Sequence, residues 1–166
     1  LLDGADVRTL ALEDLRRAVA TVDDNPFLFS ATVAENIAYA RPDATREEIE
    51  EAARRAQAHE FIERLADGYD TLVGERGVTL SGGQRQRLAI ARALAKGAPI
   101  NVFDDSFSAL DLTTDMRLRA ALKREMADTT VIIVAQRVGT IMHADRIVVL
   151  ENGTIAAIGT HEELLE

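Results

Sequence analysis

The chain has 166 residues, 47% hydrophobic and 28% charged, enough apolar material for one packed domain, which excludes disordered and fibrous classes. Its 28 acidic residues against 19 basic give a formal charge of -9, the opposite of the basic face that a general nucleic-acid binder needs. The absence of cysteine removes disulfide scaffolds, thiolate metal sites and cysteine nucleophiles together, and no stretch reaches the roughly 18 apolar residues of a membrane span.

From the amino terminus, Leu1 is not a methionine and is not followed by a basic and then an apolar segment, so the opening is no signal peptide and the chain reads as a piece of something longer. Residues 10–17 carry alanine, leucine and arginine at helical spacing, 18–22 read as a short strand, and Asp24-Asn25-Pro26 breaks it. Thr32 with Glu35, and Thr45 with Glu48, have the form of capping boxes, so 32–65 is expected to be mainly helical. Gly68, Gly74 and Gly77 punctuate a loop, and 84–96 is a helix stopped by Gly97.

Beyond that helix the pattern changes. Residues 100–103, 131–134 and 147–150 are short apolar runs of the kind buried in a parallel sheet covered on both faces, and 112–126 is a helix joining the first two as a βαβ unit. Asn152-Gly153 is a hairpin turn between 147–150 and 154–158, and Thr160 with Glu163 caps a last helix that the chain end cuts off. The expected fold is α/β: a partial, mostly parallel sheet with an all-helical segment inserted.

Two features carry chemistry. In Leu80-Ser81-Gly82-Gly83-Gln84, two glycines open a helix. This is either a plain glycine turn or an anion site, where free amides and the helix dipole favour a phosphate. It is not a phosphate loop of the form G-x-x-x-x-G-K-[ST], because Gly83 and Gln84 stand where lysine and the hydroxyl belong, and no other stretch fits. The second feature is the apolar run 100–103 ending in Asp104 and Asp105. A lone aspartate there is commonly a cap, but a pair at the carboxyl end of a buried strand points to magnesium held through water.

Together and in this order, these residues resemble the ATP-binding cassette (ABC) family, with Leu80-Ser81-Gly82-Gly83-Gln84-Arg85-Gln86-Arg87 similar to its signature and 100–105 to its Walker B strand. Asn25-Pro26-Phe27-Leu28-Phe29-Ser30 resembles the segment after the Q-loop, Gly74-Glu75-Arg76-Gly77 the loop that exporters place before the signature, and Ser108-Ala109-Leu110-Asp111 the D-loop. Residues 144–147 and 159–165 resemble the carboxyl-terminal half of exporter domains. The resemblance implies a P-loop NTPase-like fold divided into 1–30 (end of the first core part and Q-loop), 31–97 (helical subdomain with signature) and 98–166 (Walker B, D-loop, switch and last strands).

It also implies ATP and Mg2+ as cofactors and a second nucleotide-binding domain as head-to-tail partner. Ser81, Gly82, Gly83 and Gln84, with Ser108 and Asp111, would then face an ATP held by that partner, and Asp104 and Asp24 would serve the metal. Transmembrane domains would receive the 27–30 segment and the Glu75 loop, at the cytoplasmic face of the membrane.

Three positions depart from the family pattern: Asp24 at the Q-loop glutamine, Asp105 at the catalytic glutamate and Gln136 at the switch histidine. Each follows a strand's carboxyl end, so the three are expected to converge on one nucleotide site. Asp105 is one methylene short, and Gln136 has no proton to exchange near neutral pH. His59, His143 and His161 are the only histidines, and none follows the 131–134 run. The pattern resembles the degenerate subunit of asymmetric heterodimeric exporters, with slow hydrolysis at its own site and a sound signature for its partner's. Two alternatives are a non-transport ABC ATPase of repair or translation and a symmetric, slow homodimer acting as a nucleotide-gated binding module. Asn101, polar within an apolar strand, is expected to destabilise unless paired.

Overall fold

The computed structural model describes residues 1–74 and 79–166, and these divide into two compact units, Leu1–Ile132 and Ile133–Glu166. In the first unit, α1 (Leu12–Ala18) carries Glu13 and Asp14 in its first turn and Arg16 and Arg17 in its last, matching the helix dipole. It runs into β1 (Val19–Val22), which pairs in parallel with β4 (Ile100–Asp104) in the register Val19↔Ile100 to Val22↔Phe103. The sheet has three strands in the order β1-β4-β5, with β5 at Thr130–Val134.

Between β1 and β4 lie α2 (Val33–Ile37), α3 (Arg46–Arg55), α4 (His59–Ile62) and α5 (Gly82–Lys96). Thr32 and Thr45 form the expected capping boxes with Glu35 and Glu48. The segment is not wholly helical, because β2 (Ala31–Thr32) pairs antiparallel with β3 (Leu72–Val73). The cap itself explains this: Thr32 must be extended to cap α2 (φ -66°, ψ 162°), which leaves its edge in position to accept a second strand.

The helix α5 forms the spine of this unit, packing against α2, α3 and β1 with Leu88, Ile90 and a run of alanines buried. It stops where Gly97 takes the left-handed conformation, φ 65°. Asn101 is buried in β4 yet paired, since its amide donates to the Ala98 carbonyl at 3.0 Å. Its expected penalty is thereby met inside the loop that leads into the strand.

After β4, α6 (Leu112–Glu125) begins at Asp111. The expected burial of the later apolar runs on both faces does not hold. β5 is an edge strand with Val131, Ile132 and Val134 exposed, and β6 (Ile147–Glu151) lies outside the parallel sheet. In the second unit β6 pairs antiparallel with β7 (Thr154–Gly159) through Asn152 (φ 50°) and Gly153 (φ 77°), the two left-handed residues that a tight hairpin turn requires. A short helix, α7 (Val138–Ile141), precedes them. Thr160 makes the cap bonds with Glu163, and 161–164 are turns.

Candidate functional site

The register Val22↔Phe103 sends the residues after β1 and after β4 out of the same edge of the sheet, so Asp24 and Asp105, each two residues on, leave side by side. Asp24 and Asp104 are exposed. Asp105 takes a left-handed backbone, φ 44°, a conformation that aspartate tolerates better than most side chains and that concentrates at functional turns. Two serines brace this turn. The Ser106 hydroxyl, fully buried, donates to the Val22 carbonyl at 2.5 Å, and the Ser108 hydroxyl donates to the Asp105 carbonyl at 2.9 Å.

At the start of α5 the Ser81 hydroxyl accepts from the Gln84 amide at 3.2 Å, and the Gln84 side-chain oxygen accepts from the Ser81 amide at 2.9 Å. A capping box of this kind satisfies two of the four orphan donors of a helix start and leaves the next two amides, those of Gly82 and Gly83, as the polar groups offered outward. The two glycines differ inside the chain. A Cβ on Gly83 would stand 3.1 Å from the Ala109 carbonyl, while one on Gly82 would meet only the Ala109 Cβ at 3.8 Å. The helix start is thus seated on the 108–111 segment, with Gly83 required for the close approach. Asp111 ends that segment by accepting from the Thr114 amide at 2.9 Å, and the Thr114 side chain and amide hold its carboxyl below the usual range. Its carboxylate is occupied as the cap of α6.

The 25–30 segment is fixed from within. The Asn36 side chain accepts from the Phe29 amide at 2.9 Å and donates back to the Phe29 carbonyl at 3.0 Å. Arg92 of α5 donates to the Asn36 carbonyl at 2.8 Å, the Asn36 side chain at 2.9 Å and the Phe27 carbonyl at 3.0 Å. Burial pushes its guanidinium pKa down. Phe29 stacks on Tyr39 with centroids 4.2 Å apart, and Phe27 stays 68% exposed, so this segment presents an aromatic surface.

The same end of β1 is also reached from α5. Gln86, 1% exposed, donates its side-chain amide to the Asp23 carbonyl at 3.0 Å, and its side-chain oxygen finds no donor among the described residues.

The donor set fits magnesium. Hard carboxylate oxygens from one or two aspartates at this edge, completed by phosphate oxygens, are what that ion takes. Among the described residues no cluster of three or more acids and histidines could hold a metal by itself.

A family model described as "ABC transporter" matches residues 1–108, and that settles the family. The chain belongs to the ABC transporter family. It is 54% identical over 165 residues to an ATP-dependent lipid A-core flippase of Chromohalobacter salexigens, covering 99% of this chain and 28% of the flippase. It is 51% identical over 164 residues to ABC transporter B family member 1 of Arabidopsis thaliana, covering 99% of this chain and 13% of that protein. A solved bacterial Atm1-family ABC exporter with ATP bound superposes with a TM-score of 0.94 at 43% identity, over 99% of this chain and 29% of that one. The chain therefore spans under a third of the length of these relatives.

Within this ABC transporter chain Asp24, Asp104 and Asp105 follow or end strands at one edge of the sheet without closing into a cluster among the described residues, and Gly82 and Gly83 at the start of α5 lie against Ala109. Gln136 lies in the second unit, on an exposed bend before α7. The Glu75 loop lies outside the described residues. Gln86, Ser106, Asn36 and Arg92 escape a motif reading because they sit inside or beside recognised motifs at positions that look interchangeable. A polar residue on a helix face otherwise lined by alanine and leucine was the available signal for Gln86.

Proposed function

We propose that this chain is part of the nucleotide-binding domain of an ABC exporter, an ATPase at the cytoplasmic face of the membrane that drives efflux by ATP-dependent pairing with a second such domain. The observation that supports the reading is the start of α5, where Ser81 caps the helix and its box with Gln84 leaves the Gly82 and Gly83 amides outside the cap bonds, an arrangement suited to a phosphate, in a chain that superposes on an ATP-bound exporter. Residues 1–30 and 98–166 belong to the core with its Walker B and switch elements, and 31–97 to the helical subdomain. In this reading Ser81, Gly82, Gly83 and Gln84 contact the terminal phosphate of the partner's ATP, with Ser108 beside them. Asp111 acts indirectly, as the cap that shapes their seat.

The chain's own site is the weaker one. Asp104 and Asp24 would hold magnesium, which neutralises phosphate charge when bound. Asp105 would orient the attacking water from a carboxylate about 1 to 1.5 Å short of a glutamate's reach, and a misplacement of that size costs about a hundredfold in rate. Gln136, at the position that resembles the switch, has no proton to exchange near neutral pH. Such a chain works as the slow half of a heterodimer, and the 27–30 segment with its aromatic surface would meet the transmembrane domains.

The test is made in the assembled transporter. Replacing the catalytic glutamate of the paired domain by glutamine should nearly abolish ATP turnover, because this chain's site contributes little. Turnover within a few-fold of the parent would show that this site is competent.

A further inference from the structure

Two successive carbonyls at the exit of β1 are each held by a buried side chain from a different element. Val22 receives the Ser106 hydroxyl, from the residue beside Asp105, and Asp23 receives the Gln86 amide, from the second turn of α5. The next residue is Asp24. Only the nitrogen of the Gln86 amide can donate to a carbonyl, so this bond fixes the amide's orientation and leaves its oxygen buried without a donor among the described residues. A buried amide that satisfies one end and orphans the other is poor as a stabilising device, because leaving a buried acceptor unpaired offsets much of what the bond gains. Its role is better read from what it connects.

What it connects is a 15-residue helix that begins at Ser81 and the strand end that leads to Asp24. We propose that Gln86 is a positioning residue that ties the place of the Asp24 turn to the place of the signature, with Ser106 anchoring the same turn to the Asp105 loop. A helix packed along its length against α2, α3 and β1 moves as a body, so a shift of the β1 exit when nucleotide fills the site is passed through the amide to Ser81 and the two glycines. The signature then reaches its position only when the Asp24 side is in place.

This rests on the ATPase reading but not on which site is slow, since turnover at either site depends on a signature. The partner-glutamate experiment can fail without touching it. The test uses the full transporter with the paired domain, reading steady-state ATPase activity and thermal unfolding of Gln86→Met. Methionine keeps the length and removes both the donor and the orphaned oxygen, and because Asp23 is exposed, water can take over its carbonyl. A purely structural role predicts unchanged kcat with equal or higher stability. Positioning predicts that kcat at saturating ATP falls about tenfold, inside the hundredfold that a 1 Å misplacement can bring, while KM for ATP and the unfolding midpoint hold. A kcat within twofold of the parent overturns the proposal.

Should that variant not assemble, Gln86→Glu decides. Its ionised carboxylate cannot donate to Asp23, but burial raises its pKa, and the protonated acid can donate. Activity relative to the parent should therefore recover as the pH falls from about 8 to about 6. A ratio flat across that range overturns the proposal.

Discussion

The start of α5 and the sheet edge at Asp105 are built on opposite terms. At α5 every local rule agrees: serine caps, glutamine closes the box, glycine stands where the 108–111 segment comes within 3.1 Å, and glycine again ends the helix. At the sheet edge a non-glycine residue is held left-handed, its carboxylate is the short one, and the neighbouring loop is braced by serines that no local pattern demands. The helix start at α5 is over-determined by its sequence. In the proposed reading the second region is the one kept for this chain's own nucleotide, and its departures from local rules are how a chain that supplies one site and merely occupies another would be expected to differ.

The sharpest way to break that comparison is at the two glycines. Gly82→Ala and Gly83→Ala should both cut turnover of the assembled transporter by about a hundredfold, since a Cβ on either crowds the approach of a phosphate to the helix start. They should separate on stability. Gly82→Ala meets ordinary contact and should gain up to about 1 kcal/mol from helix propensity. Gly83→Ala must displace the Ala109 carbonyl and should show none of that gain. Equal stability changes on denaturant unfolding would refute the seating of α5 on the 108–111 segment. A smaller effect belongs to Asn101, which lies away from both regions. Asn101→Ala should lower stability by about 2 kcal/mol, by orphaning the Ala98 carbonyl, and leave turnover per folded molecule unchanged. A change in kcat would move Asn101 into the site.

What the sequence makes legible follows from range. Caps, the Gly97 stop and the Asn152-Gly153 turn depend on residues within a few positions of one another, and each stands where the pattern puts it. The hydrogen bonds from Ser106 to Val22 and from Gln86 to Asp23 span 84 and 63 positions, and no periodicity announces them. Asn101 shows the same limit from the other side, because its polarity was visible and its partner was not. The Thr160 and Glu163 pair is likewise legible as a cap, since its bonds join residues three positions apart. The runs 131–134 and 147–150 are legible as strands by their apolar character, yet that character cannot say which faces are covered.

The central claim, a sound signature beside a slow site of its own, is tested most directly by comparing two variants of this chain in the same assembled transporter. Steady-state ATP turnover should fall at least tenfold for Ser81→Ala, which removes the hydroxyl at the helix start, and stay within about twofold for Asp105→Asn, which removes a carboxylate already too short to matter. A loss that falls on Asp105→Asn and spares Ser81→Ala would contradict the account.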